Sequence, residues 1–194
     1  MAQFIAINKD VEVNGETVLS IVAGMGVMHD LALSILLKNG IDNPKQGEWY
    51  SQQNWLNAFK QILKEIGFNT LFSIGKKIPE NANFPPEINS LETALKGIDV
   101  AYHMNHRLFG EQLFDPNTGN MKEGIGHYNY KKIDETKAMM VCDNPYPCDF
   151  DRGIIEAMTK RFKPQGSIII SVTHDDSAQC RKEGANSCTY IVDW

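Results

Sequence analysis

The chain has 194 residues, 42% hydrophobic and 22% charged, with 24 acidic against 19 basic side chains and a formal charge of −5. That balance excludes a disordered or fibrous chain. The acidic excess, relieved only by short pairs such as Lys76-Lys77 and Lys131-Lys132, also excludes a general nucleic-acid binder, which needs a basic face to neutralise phosphates.

From the N-terminus, Phe4 to Ile7 and Val11 to Val13 read as short extended pieces. Asn14-Gly15 opens an apolar-periodic stretch that runs to Lys38 and stops at Asn39-Gly40. Val18, Val22, Met25, Ala32 and Leu36 share one helical stripe, with His29 on it as a buried histidine. Gly24 and Gly26 weaken this helix. Its charge-free run, Thr17 to Met28, is too short to span a bilayer, and the N-terminus lacks the basic and apolar regions of a secretory signal. A cytoplasmic protein without membrane insertion is expected.

Ser51 caps a second helix whose buried face is Trp55, Phe59, Ile62 and Ile66, closed by Gly67. Trp49, Tyr50 and Trp55 read as core anchors. A third helix covers Asn69 to Lys77, and Pro79 to Pro86 is a loop. Asn89 with Glu92 reads as a capping box, and the helix that follows turns Leu91, Leu95, Ile98 and Tyr102 inward. Gly110 to Gly124 is an insertion or hairpin tip. Tyr128 to Ile133 and Lys137 to Val141 form a hairpin turned by Asp134-Glu135-Thr136. Asp149 caps a helix with Ile154, Ile155, Met158 and Phe162 inward. Ser167 to Val172 and Cys188 to Trp194 close the chain as strands. Helices first and strands later give an α+β fold: a helical N-terminal half packed on a C-terminal antiparallel sheet, with one crossing helix between strands. We read residues 1–194 as a single domain, with the helical part at about 1–110 and the sheet-bearing part at about 124–194.

All four cysteines lie beyond residue 140, and four of the five histidines beyond residue 100. In a reducing compartment such thiols are metal ligands, small buried hydrophobes or redox groups rather than structural disulfides. Cys180 and Cys188 flank a loop in which Gly184 sets a tight turn, so their sulfurs converge. Zinc takes four nitrogen or sulfur ligands. Cys148, at a helix start that favours the thiolate, is the third, and Cys142 or His174 the fourth, with Asp175 or Asp176 as acidic alternatives. Four protein ligands make such a zinc structural. His103 and His106 stand three apart near the end of the fourth helix, and His127 begins a strand beside Tyr128 and Tyr130. Packed together they face one cleft that can bind a metal, ligate a haem, hold a small ligand or transfer protons. No nucleophile elbow and no phosphate loop is present.

The stretch from Cys148 through Cys180-Arg181-Lys182-Glu183-Gly184-Ala185-Asn186-Ser187-Cys188-Thr189-Tyr190 resembles the end of 4-vinyl-reductase domains. These share a fold group with haem nitric-oxide-binding domains and a Golgi trafficking-complex subunit. The resemblance implies a helical half on an antiparallel sheet, a small-molecule pocket between them, and zinc held by the loop cysteines beside it. Those zinc-binding relatives carry an acidic ligand shortly before the first loop cysteine, where this chain has Ser177. Tyr128-Asn129-Tyr130-Lys131 also departs from the Tyr-x-Ser-x-Arg signature of haem sensors, which leaves haem as the alternative cofactor. The expected function is a sensory or carrier module for a small hydrophobic or aromatic molecule, with Tyr102, His103, His106, His127 and Tyr128 at the ligand. A homodimer and a separate signalling partner are expected with it. The alternatives are an enzyme using the histidine cluster with metal or haem, and a non-catalytic assembly subunit.

Overall fold

Asn14 ends a strand and starts a helix. In the computed structural model, which describes residues 3–80 and 82–194, its side chain accepts a hydrogen bond from the Thr17 amide and so caps α1 (Gly15–Val18). The strand before it, β1 (Val11–Asn14), buries Val11 and Val13. β1 lies inside a four-stranded antiparallel sheet of order β2-β1-β3-β4, completed by β2 (Trp49–Ser51), β3 (His106–Leu108) and β4 (Glu111–Gln112). Val13 faces Tyr50 on one side and His106 on the other. Phe4 to Ile7 does not join this sheet, because Phe4 sits at φ 64°, outside the extended region.

The expected long helix is broken into α1, α2 (Ser20–Met25), a 3₁₀ turn at Gly26–Met28 and α3 (His29–Lys38), with Gly26 at φ 53°. The break rotates the stripe. Val18, Met25, Ala32 and Leu36 stay buried, while His29 turns to solvent beside Asp30, contrary to its expected burial. Taken whole, Gly15–Lys38 is long and apolar enough to cross a membrane by length and composition. Its interruption would leave backbone groups unpaired in lipid.

The next helices follow the sequence closely. Ser51 caps α4 (Gln52–Glu65), which buries Trp55, Leu56, Phe59 and Ile62. After Gly67 comes α5 (Phe68–Lys77). α6 (Leu91–Met104) starts one residue later than the expected box. Ser90 accepts from the Thr93 amide while Thr93 Oγ1 accepts from the Ser90 amide. Asn89 and Glu92 are not the pair, because the threonine hydroxyl reaches back first.

The C-terminal sheet has order β5-β6-β8-β7, antiparallel throughout: β5 (Tyr128–Lys132), β6 (Lys137–Cys142), β8 (Cys188–Asp193) and β7 (Ser171–His174). α7 (Cys148–Phe162) crosses between β6 and β7, as the α+β reading required. Pro147 precedes it, and Asp149 lies within its first turn instead of capping it. The expected strand from Ser167 begins only at Ser171, since Ile168 and Ile169 are exposed and unpaired in the sheet.

α7 lies against α5 with no room for side chains at the crossing. A Cβ added to Gly75 would meet the Phe150 carbonyl oxygen at 2.1 Å, and one added to Gly153 would meet the Phe72 carbonyl oxygen at 2.3 Å. Gly75→Ala or Gly153→Ala should therefore cost about 1–3 kcal/mol, as overpacking typically does. The check is a lower urea midpoint with an unchanged slope; an unchanged midpoint would contradict the close crossing.

Candidate functional site

α7, β7, β8 and the loop between the two strands bring three sulfurs and an imidazole to one corner. Cys148 Sγ lies 3.0 Å from Cys188 Sγ and 3.5 Å from Cys180 Sγ, and the loop pair is 3.6 Å apart. Gly184, in the left-handed region at φ 86°, closes the turn that folds Cys180 back toward Cys188. One donor atom from each of Cys148, His174, Cys180 and Cys188 lies within 4.8 Å of the others. His174 Nε2 is buried without a hydrogen-bond partner. Of the two expected fourth residues, His174 is the one that joins. Cys142 faces Cys188 across the β6–β8 register but stays outside the donor set.

The hydrogen bond between Cys148 and Cys188 sets their charge. It pushes the Cys188 thiol down, helped by the Arg181 guanidinium, and pushes Cys148 up. The hydrogen bond and Arg181 thus favour a thiolate on Cys188 over one at the helix start. Arg181 donates to the Cys188 sulfur from its backbone amide at 3.4 Å and from Nε at 3.3 Å. A cleft of about 410 Å³ opens beside this corner, lined among others by Phe68, Arg152, Tyr190 and Lys182.

Behind the sulfurs lies a buried charge pair. Arg181 Nη2 donates to Asp151 Oδ2, and both side chains are fully buried. Asp151 Oδ1 accepts from Tyr128 Oη at 2.6 Å, and Arg181 Nη1 also donates to the Asn144 side chain at 2.9 Å. Burial pushes the Asp151 carboxyl up to about 6, against the opposing pull of Arg181. Sequence reading missed Arg181, Asp151 and Asn144. They sit in a loop, a helix start and a turn, where the pattern reads as solvent-facing.

The histidines gather as expected, though they fill space instead of lining it. Tyr102 is in ring contact with His106, Tyr128 and Tyr146, and His106 with Tyr146, with centroids 4.6–5.9 Å apart. His106 is the first residue of β3, not part of the helix. Its Nδ1 donates to the Tyr102 carbonyl at 2.6 Å, so Nε2 must accept, and Tyr146 Oη supplies the proton at 2.5 Å. Gln52 donates to the same phenol at 3.0 Å. His103 is buried and donates from Nδ1 to the Asp99 carbonyl at 2.8 Å. His127 lies between Asp99 (3.0 Å) and Glu123 (2.8 Å). Burial opposes its charge, but the two carboxylates outweigh it and raise its pKa to about 9. Tyr130 stands at the sheet surface under Lys96 Nζ. Trp55 is fully buried, whereas Trp49 and Tyr50 are half-buried.

No family model and no curated protein matches the chain. Solved structures do. An oxygen-binding H-NOX domain related to soluble guanylate cyclases aligns with TM-score 0.62 at 15% identity, covering 93% of this chain and 94% of that one. The fold is that of the H-NOX domains. An H-NOX protein from S. oneidensis in the Fe(II)NO ligation state gives TM-score 0.58 at 13% identity, with 93% and 98% covered. A structure described under the modulation of haem redox potential by porphyrin distortion gives 0.58 at 15%, with 93% and 99% covered. The comparison thus reaches the wider fold group of the sequence resemblance, but not 4-vinyl-reductase domains themselves.

Zinc as the chain's main cofactor is corrected by this result: the descriptions of the structures that share the fold concern haem, oxygen and nitric oxide. The residues here do not fit a haem. Between the helical half and the C-terminal sheet, Trp55, Phe59, Tyr146 and Phe150 stack ring against ring with centroids 4.7–6.1 Å apart. Both nitrogens of His106 are already engaged, and the His103 ring is stacked on His127 at 5.0 Å.

Burial lowers the pKa of His106 from 6.5 to about 3, against the hydrogen bond to Tyr102. Its stabilising share is complete above pH 6.5 and is lost as pH falls from 6.5 toward 3, at up to about 1.4 kcal/mol per pH unit. Equilibrium unfolding of His106→Gln should fall less steeply than wild type on acidification through this window. Parallel curves would contradict the neutral, doubly bonded imidazole.

Proposed function

We propose that this chain is a sensory module on the H-NOX fold whose recognition site is the thiol corner and its cleft. The observation that carries the reading is the convergence of Cys148, Cys180, Cys188 and His174 at the mouth of a cleft. Three sulfurs and one imidazole favour a thiophilic metal ion, and His174 Nε2 is buried beside the sulfurs. The two Arg181 donors on the Cys188 sulfur favour a thiolate there.

The cleft suits a small, partly apolar molecule. Phe68 offers an exposed ring, and Arg152 and Lys182 offer charge to orient a polar substituent. A molecule bound there touches the start of α7 and the Cys180–Cys188 loop together. Through Arg181 and Asp151 the loop is joined to Tyr128 on β5 and to Asn144 after β6. A shift of the loop is in this way passed to the opposite side of the sheet, where a separate signalling partner can read it.

Cobalt(II) tests the donor set. Added to the reduced full chain, one equivalent should give the near-ultraviolet absorption of sulfur-to-cobalt charge transfer and the intense visible bands of a tetrahedral ion. His174→Ala, which leaves the sulfurs in place, should weaken binding about tenfold or more, and Cys180→Ser should reduce the charge-transfer intensity. No charge-transfer band in folded protein, or unchanged spectra in both variants, would refute the reading.

A further inference from the structure

Across β6 from Cys188, α6 and the residue before β5 bring together a second group of donors. We propose that Asp99, His103 and His127, with Glu123 at the rim, form a site for a first-row divalent metal ion held through nitrogen and oxygen. One donor atom from each of Asp99, His103 and His127 lies within 4.8 Å of the others. Ligands around one ion at about 2.0–2.2 Å stand up to roughly 4 Å apart, so side-chain movement is needed to complete the set; at present His103 turns Nδ1 toward Asp99 Oδ1, at 3.7 Å.

Three features make this more than a surface cluster. His103 is fully buried and its Nε2 has no hydrogen-bond partner. Its Nδ1 donates to a backbone carbonyl, which fixes the tautomer and leaves Nε2 a bare lone pair. Asp99 is oriented from outside the cluster: the Tyr128 amide donates to its Oδ1 at 2.9 Å, leaving Oδ2 to face His127 Nδ1 at 3.0 Å. Glu123 reaches the far nitrogen of His127 at 2.8 Å and is itself exposed, so an ion can enter from solvent on that side.

Charge points the same way. The Asp99 and Glu123 carboxylates converge on one imidazole from its two nitrogens. On metal binding, the nitrogen facing Asp99 gives its proton to solvent and forms the bond to the ion, while an Asp99 oxygen becomes the neighbouring ligand. Two imidazoles with one or two carboxylates suit borderline divalent ions, whereas the sulfur-rich corner selects softer ones. The two sites therefore differ in class.

Manganese(II), which prefers oxygen and nitrogen to sulfur, is the probe, followed by NMR of the five histidine rings. The His103 and His127 ring signals should broaden at the lowest additions, ahead of His29 and His174. The apparent Kd should rise at least tenfold in Asp99→Asn, which keeps an oxygen to accept from the Tyr128 amide, and in His127→Gln. Broadening that is absent, uniform over the rings or first at His174 would overturn the assignment. So would an unchanged Kd in both variants. Because His174 reports the thiol corner separately, failure here is distinct from failure there.

Discussion

The buried pair of Arg181 and Asp151 is the constraint on which the C-terminal half depends. Taking two charges out of water costs several kcal/mol each, and attraction repays this only when the remaining donors and acceptors are satisfied. Here they are. Asp151 also accepts from Tyr128, and Arg181 also donates to Asn144 and to the Cys188 sulfur. These contacts join α7, β5, the turn after β6 and the closing loop at one point. The thiol corner exists because Arg181 is anchored: the residue next to Cys180 cannot move without leaving Asp151 charged and alone.

The same region separates fold from function. The backbone follows that of H-NOX domains over nearly its whole length, yet the interior between its halves is occupied by Trp55, Phe59, Tyr146 and Phe150, with His106 bonded at both nitrogens. A shared scaffold does not carry its chemistry along when the side chains at the centre change. Here the polar and reactive groups gather in two clusters instead. Sulfur dominates one, and imidazole with carboxylate the other.

The fold class was legible because helical periodicity survives in long segments. α4, α6 and α7 each show an apolar stripe, Ser51 marks the start of α4, and the β5–β6 hairpin is bounded by a clear turn. The first sheet was mostly hidden. β2, β3 and β4 have only two or three residues each, too few for alternation to register, and His106 looked helical because a strand starts directly after α6. Ser167 to Ile170 looked like a strand from β-branched composition alone, yet nothing pairs with it. At the site, the convergence of Cys180 and Cys188 followed from the Gly184 turn, Cys148 was named as the third ligand from its place at a helix start, and His174 was one of two named candidates for the fourth. The Asp151–Arg181 pair was invisible, because single charged residues in a helix start and a loop read as solvated. The histidine cluster was found, but its packing into the core was not. Periodicity tells which side of α6 faces inward, not whether the space there is empty.

The central claim is that the loop is held by this buried pair, and a double-mutant cycle tests it most directly. Asp151→Asn, Arg181→Met and the double variant would be compared with wild type by urea unfolding. A coupling energy of about 2 kcal/mol or more, with the double variant more stable than the worse single one, is the predicted result. Additive effects, with coupling within about 0.5 kcal/mol of zero, would show that the two side chains do not hold the corner together.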